Sequence, residues 1–118
     1  MTKFFKCDNK TAYRMIKATE VVGLWDATKA APLDIAVEKA VIFDTHSEQY
    51  GDSLVVRILS GGRIYQARNR AAEECDVIFA FAGAEPITIR FARKIGKTGR
   101  EYLDVDIADE TPAGGQPF

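Results

Sequence analysis

The sequence predicts an all-β domain, a small β-barrel that carries one helix, within a chain of 118 residues. Several segments alternate apolar and polar residues with a period of two, which places one face of a strand in a core. Two glycine-bounded turns connect such segments as hairpins, and one longer segment has the apolar spacing of a helix. We therefore expect an N-terminal arm at residues 1–10, a barrel domain at 11–107 and an acidic C-terminal tail at 108–118.

The first part of the chain gives the weakest signals. Residues 1–10 are polar apart from two phenylalanines, which predicts a mobile or loosely docked arm. Residues 13–24 satisfy both strand and helix spacing, and we favour a strand because a Val-Val-Gly run is a poor continuation of a helix. Trp25 follows, and it is either a core anchor or a platform on which a base can stack.

The middle of the chain predicts a long bent strand and a hairpin. Residues 35–45 are rich in Val and Ile, and their alternation shifts phase near Lys39-Ala40, which indicates a bulge or a bend. A second strand runs over residues 53–59. Gly61-Gly62 adopt positive φ at little steric cost, so a tight turn is expected to connect this strand to a third at residues 63–66.

A helix and a second hairpin complete the predicted domain. Residues 69–82 have helical apolar spacing, with Asn69 as the N-cap and Gly83 positioned to end the helix. Residues 87–91 and 103–107 then alternate as strands on either side of the glycine-bounded loop 96–99. These segments bring the predicted strand count to five, or six if residues 13–24 are extended.

Charge and cysteine content narrow the class of protein. Sixteen basic and 17 acidic residues nearly cancel, so only the local distribution of charge can indicate a nucleic-acid binder. Basic residues dominate between Arg63 and Arg100, whereas every charged residue after Arg100 is acidic. Cys7 and Cys75 are far apart in sequence and are expected to stay reduced, which fits a soluble cytoplasmic protein. No apolar run approaches the ~20 residues of a membrane span.

No pattern in the sequence indicates an enzyme. His46 has no second histidine or nearby cysteine with which to hold a metal, and the Gly61-Gly62 pair connects two strands rather than a strand to a helix, so a phosphate-binding loop is not expected. Asp104 and Asp106 are expected to form cross-strand ion pairs with Arg90 or Lys94. We predict no catalytic residue, no metal and no cofactor.

The order of elements resembles a known family. A bent strand, a hairpin, a helix and a closing hairpin form the connectivity of the OB-fold. The run from Tyr50 to Tyr65 with a helix directly behind it, and the closing hairpin from Gly96 to Leu103, resemble the OB-fold single-stranded DNA-binding proteins of phages and conjugative plasmids. The resemblance covers residues 35–107. It implies a five- or six-stranded Greek-key barrel with the helix between the third and fourth barrel strands.

The C-terminus carries a second resemblance. Bacterial single-stranded DNA-binding proteins end in a flexible acidic tail tipped with Pro-Phe, and this chain ends in Pro117-Phe118 after Asp109 and Glu110. It departs from them at residues 114–116, where Gly-Gly-Gln stands in place of aspartates. The resemblance implies that Phe118 contacts replication or recombination proteins.

Single-strand binding requires a basic groove for phosphates and exposed aromatic faces for bases. We place Arg57, Arg63 and Tyr65 on the outward face of the middle hairpin, and the closing hairpin is expected to contribute further cations and Tyr102. The full set of candidate nucleic-acid-binding residues is Trp25, Tyr50, Arg57, Arg63, Tyr65, Arg68, Arg90, Lys94, Lys97, Arg100 and Tyr102.

The predicted function is sequence-independent binding of single-stranded DNA during replication, recombination or plasmid or phage transfer. The alternative for the charged residues is a solvated sheet face with cross-strand ion pairs. The alternative for the protein is a non-catalytic interaction or assembly module, such as a phage structural or inhibitor-type small barrel. Steep weakening of binding with salt distinguishes DNA binding from an apolar protein interface. DNA versus RNA, and a homo-oligomer versus a monomer, stay open.

Overall fold

The structure is a computed structural model that describes residues 2–49 and 51–108. Its elements are, in chain order, β1 (Thr2–Phe5), α1 (Asn9–Lys17), β2 (Val22–Gly23), α2 (Leu24–Ala27), β3 (Leu33–Ala36), β4 (Lys39–Ser47), β5 (Gly51–Ser60), β6 (Arg63–Arg68), α3 (Arg70–Ala82), β7 (Thr88–Ile95) and β8 (Glu101–Ile107).

The strands form two sheets that share one core. The larger sheet has the order β1-β4-β5-β6-β2, and the smaller sheet has the order β3-β7-β8. All strand pairs are antiparallel except β2 with β6. The buried side chains of α3, including Ala72, Cys75 and Phe79, pack against this core, and α3 contacts both sheets. The fold is therefore mostly β, as predicted, but the described residues form three helices rather than the one expected. No helix among the described residues is long and apolar enough to cross a membrane.

The predicted bend connects the two sheets. The backbone N–H of Val37 donates to Ile87 O at 3.0 Å, next to the smaller sheet, whereas the next N–H, that of Glu38, donates to Leu59 O of the larger sheet at 3.0 Å. A single run of chain thus leaves one sheet at β3 and enters the other at β4. The prediction of a bend is confirmed, two residues before the expected position.

Both predicted hairpins and the predicted helix are present. Gly61 and Gly62 have φ of 58° and 79°, which matches the positive values that a two-residue hairpin turn requires. Asn69 occupies the N-cap position of α3, although its side chain makes no capping hydrogen bond, and Gly83 ends the helix with φ of 60°.

The prediction of a loosely docked arm at residues 1–10 is wrong. β1 pairs with β4, and Phe5 is buried in the main core, where its ring stacks on Phe79 with centroids 4.7 Å apart. The sequence signal was weak because β1 is an edge strand with a single buried side chain. Pairing and burial of Phe5 still outweigh the polar composition of the segment.

The preference for a strand at residues 13–24 is wrong for the first part of that segment and holds only at Val22–Gly23. The first part of that segment belongs to α1, whose N-cap Asp8 accepts a hydrogen bond from the Thr11 N–H at 2.8 Å. Ala12 and Met15 are buried against the outer face of the larger sheet. Because that face is apolar at Val41 and its neighbours, the buried side of the helix packs against it, and this tertiary packing decides an ambiguous local pattern.

The N-terminal segment therefore wraps the larger sheet. β1 forms one edge of that sheet, α1 crosses its outer face, and β2 forms the other edge beside β6. The described residues form eight strands rather than five or six, because β1 was not predicted and the bent strand is divided into β3 and β4. β2 is the short part of residues 13–24 that is extended. Ala108 belongs to the ordered domain, since it is buried and its N–H donates to Thr88 O at 2.9 Å.

Candidate nucleic-acid interface

One opening lies where the two sheets meet without pairing. No ladder of hydrogen bonds within residues 2–49 and 51–108 connects β6 to β8. A cavity of about 370 Å³ lies between these strands. We call it the seam groove; it is lined by Gly23, Leu24, Trp25, Gln66, Ala67, Arg68, Asn69, Arg70, Ala71, Tyr102 and Leu103.

Trp25 is held firmly at one side of the seam groove. The preceding residue, Leu24, is fully buried and anchors the short helix α2 in the core. The Trp25 side chain remains 41% exposed, and the guanidinium carbon of Arg93 lies 3.8 Å from its ring centroid. Arg93 also donates from Nε to Trp25 O at 2.8 Å, and its Nη1 lies 3.6 Å from Glu101. Leu24 is thus the core anchor, and Trp25 is a positioned, partly exposed aromatic ring.

Tyr102 lies in the same groove, next to a cation that was not among the candidate site residues. The guanidinium of Arg70 lies 5.6 Å from the centre of the Tyr102 ring, and its Nε forms an ion pair with Glu74 at 3.1 Å. Arg70 is the first residue of α3. The sequence places it only in the helix and does not mark it as a groove residue. A cation at the start of the helix, where the helix dipole opposes positive charge, was the available signal.

Arg68 adds an uncompensated positive charge to the seam groove. Its side chain is exposed, and it forms no ion pair with any residue in the described part of the chain. It follows the buried Ala67 at the end of β6, immediately before the N-cap of α3. The groove therefore combines two aromatic rings, two arginines and the positive end of a helix dipole.

Arg57 does not lie free on an outward face as predicted. Its Nη1 lies 2.9 Å from the carbonyl oxygens of Met15, Ile16 and Ala18, to which it donates, and its Nε donates to Gln66 Oε1 at 2.7 Å. Burial, and then the charge of Arg68, lower the pKa of Arg57. Arg57 is a cap for the C-terminus of α1, and its donors are already engaged by protein oxygens.

Tyr65 faces the interior, which corrects the prediction of an outward face. It pairs with Ile58 across the hairpin, so both side chains point to the main core, and Tyr65 packs against that core. Arg63 points to the same side of the sheet but lies at the end of the strand, where it is exposed. Within the described residues Arg63 forms no ion pair.

Ion pairs engage two of the predicted cations. Arg90 donates from Nε and Nη2 to the two carboxylate oxygens of Asp34, at 2.8 and 3.0 Å, and these hydrogen bonds lower the pKa of Asp34. Lys94 pairs with Asp104 at 3.1 Å, and this hydrogen bond raises the pKa of Lys94. The expected cross-strand pair is thus confirmed for Lys94, whereas the direct ion-pair partner of Arg90 is Asp34 on β3.

The remaining candidates divide between an exposed loop and residues outside the described part. Lys97 and Arg100 are exposed in the β7–β8 hairpin and make no ion pair among the described residues. Tyr50, Pro117 and Phe118 lie outside the described residues, so their predicted roles stay predictions. Of the eleven nucleic-acid candidates, the seam groove brings together Trp25, Arg68 and Tyr102.

The described residues contain no group of three or more His, Cys, Asp or Glu side chains placed to hold a metal ion. Comparison with protein-family models, with curated proteins and with solved structures finds no match to this chain. The resemblance to single-stranded DNA-binding proteins therefore stays a prediction, and the chemistry of the seam groove carries the argument for function.

Proposed function

We propose that this protein binds single-stranded DNA without sequence preference, with bases stacked in the seam groove and phosphates held by its arginines. The observation that carries the proposal is the meeting of Trp25 and Tyr102 with Arg68 and Arg70 in one cavity. Trp25 and Tyr102 are 77 positions apart in sequence, so their meeting is a product of the fold rather than of local composition.

The architecture supports this proposal. The chain order is β3 with β4, then β5, β6, α3, β7 and β8, with no pairing between β6 and β8 among the described residues. A helix after the third strand and before the fourth is the order expected of an OB-fold, which supports the proposal. OB-folds use the face of their second and third strands and two loops to bind oligonucleotides. In this chain α1 packs on the outer face of β4 and β5 and so covers part of that surface, and we assign binding to the opening beside β6.

The fixed indole of Trp25 favours base stacking. A ring already held against a guanidinium loses little conformational freedom when a base stacks on its exposed part. Base stacking on an aromatic side chain contributes ~1–3 kcal/mol and tolerates every base, because each base has a π-face. In a duplex those faces are already covered by neighbouring bases, so the groove favours a single strand.

The positive charges of the groove favour a phosphate backbone. Arginine guanidinium groups bind phosphate through paired N–H donors, and the start of α3 adds the positive end of its dipole. Phosphate contacts supply affinity and position without sequence information. Stacking and phosphate contacts together would give binding without sequence preference.

The test is a titration of a labelled single-stranded oligonucleotide followed by fluorescence anisotropy at two salt concentrations. Trp25→Ala and Tyr102→Ala are each expected to weaken binding by ~1–3 kcal/mol, which is roughly 5-fold to 150-fold. Phe81→Ala is the matched control, since Phe81 is an aromatic residue that is 80% exposed on α3 and does not line the groove.

The outcomes separate this function from the protein-interaction alternative. Affinity of the unaltered protein should fall steeply with salt, with a slope of roughly −0.7 for each phosphate contacted. Absence of binding, or equal affinity in the Trp25 and Tyr102 variants and the Phe81 control, would reject the seam groove as the site.

A further inference from the structure

The exposed side of α1 carries a dense row of positive charge. Lys10, Tyr13, Arg14 and Lys17 follow one another at helical spacing, and we call this row the α1 face. The helix contains no acidic residue. Tyr13 is 62% exposed, and the Lys17 ammonium lies 5.4 Å from the centre of its ring.

The three cations of the α1 face are free for a partner. None of them forms an ion pair within residues 2–49 and 51–108. Stabilisation of the helix dipole explains only some of these cations. Arg14 and Lys17 lie near the C-terminus, where the helix dipole favours cations, but Lys10 lies in the first turn, where the dipole opposes a cation.

The α1 face adjoins the seam groove through one side chain. Arg57 donates to the carbonyl oxygens at the end of α1 and to Gln66, which lines the groove. The charge of Arg68 in the groove is close enough to lower the pKa of Arg57, after the larger effect of burial. The α1 face and the groove therefore lie on neighbouring parts of one surface.

We propose that the α1 face is a second contact for the same single strand of DNA, binding its sugar–phosphate backbone beyond the bases held in the seam groove. The argument is charge complementarity: about 10 Å of helix from Lys10 to Lys17 presents three unpaired cations and one exposed aromatic ring. A polyanion with stackable bases matches both features. This inference rests on the proposed function, and it lengthens the binding site.

The expected size of the contribution follows from counterion release. Each phosphate contact on a single strand adds about 0.7 to the salt slope. Arg14 and Lys17 are the two contacts nearest the groove, and their loss should lower the magnitude of the slope by about 1.4. If the loss has no effect at about 1 M salt, this change corresponds to roughly 25-fold weaker binding at about 0.1 M.

The experiment compares two double variants of the full chain. Arg14→Gln with Lys17→Gln removes two charges from the α1 face and keeps good helix formers. Lys3→Gln with Lys6→Gln is the charge-matched control, since these side chains contact Asp76 of α3 and Glu85, on the opposite side of the larger sheet from α1. Circular dichroism checks that each variant is folded.

Oligonucleotides of about four and about sixteen nucleotides, the range of site sizes for one OB-fold, serve as probes. The α1 double variant should weaken binding of the long probe and lower its salt slope, with little effect on the short probe, whereas Trp25→Ala should weaken both. Equal slopes for the two double variants on the long probe overturn the role of the α1 face alone. An equal loss on short and long probes also overturns it. Absence of binding by the unaltered protein overturns both proposals.

Discussion

Replacement of Arg57 by methionine should destabilise the fold while leaving affinity for single-stranded DNA nearly unchanged. Arg57 lies partly buried between the end of α1 and Gln66, and its guanidinium is 5.5 Å from the ring of Phe43. Methionine fills a similar volume and keeps the contact with the ring, so the change removes mainly the charged donors.

The magnitude follows from the hydrogen bonds that are lost. A hydrogen bond that involves a charged group contributes about 1.5–3 kcal/mol. Nη1 carries two hydrogens for three carbonyl oxygens, and Nε adds one bond to Gln66, so about three bonds are at stake. Because the end of α1 is partly exposed, water replaces some of this loss, and we expect a decrease of about 2–4 kcal/mol in the free energy of unfolding.

Urea denaturation measured by circular dichroism checks this value, and anisotropy at a low temperature, where both proteins are folded, checks DNA affinity. Arg63→Met is the control, because Arg63 is exposed and unpaired among the described residues and its replacement should change stability by less than about 0.5 kcal/mol. A stable Arg57→Met variant with strongly reduced DNA affinity would show that Arg57 contacts DNA and would refute its role as a helix cap.

Three further predictions test other parts of the structure. Phe5→Ala should lower the free energy of unfolding by about 3–5 kcal/mol in urea denaturation, because the ring is buried in the core. An unchanged urea midpoint would instead support a loosely docked arm. Hydrogen bonds from Thr11 hold the pKa of Asp8 below its usual value, so its stabilising effect is complete above about pH 4 and is lost as pH falls through the lowered pKa. The difference in free energy of unfolding between the unaltered protein and Asp8→Ala should therefore shrink over that range. A difference independent of pH would contradict the role of Asp8 as the cap. Truncation after Ala108 should keep the melting temperature and leave DNA affinity equal or slightly higher at low salt, and loss of folding would place residues 109–118 within the domain.

Elements governed by local chemistry could be predicted from the sequence. Gly61-Gly62 and Gly83 mark the turn and the helix end because few other residues adopt positive φ. The same local reasoning could have predicted which face of the sheet Tyr65 occupies. A two-residue turn pairs Ser60 with Arg63, so Tyr65 must stand opposite Ile58 and face the core.

The candidate site was less predictable because it depends on contacts between distant residues. Nothing near Trp25 in sequence indicates that Arg93 will hold its ring, and the pair of Arg90 with Asp34 depends on the pairing of β3 with β7. The sequence correctly indicates aromatic and basic side chains, and three of the predicted candidates line the seam groove. Which of them meet depends on how α2, β6 with α3, and β8, three parts distant in sequence, pack together.

The wrapped N-terminal segment has a consequence for how the protein folds. Thr2 pairs with Phe43 and Val22 with Tyr65, so the residues of this segment find their partners about forty positions later in the chain. Contacts of such separation form late and slowly. Until they form, the long strands β4 and β6 present open edges on which another unfolded copy can pair. The segment that completes the sheet therefore also ends the period in which the nascent chain is most prone to aggregate.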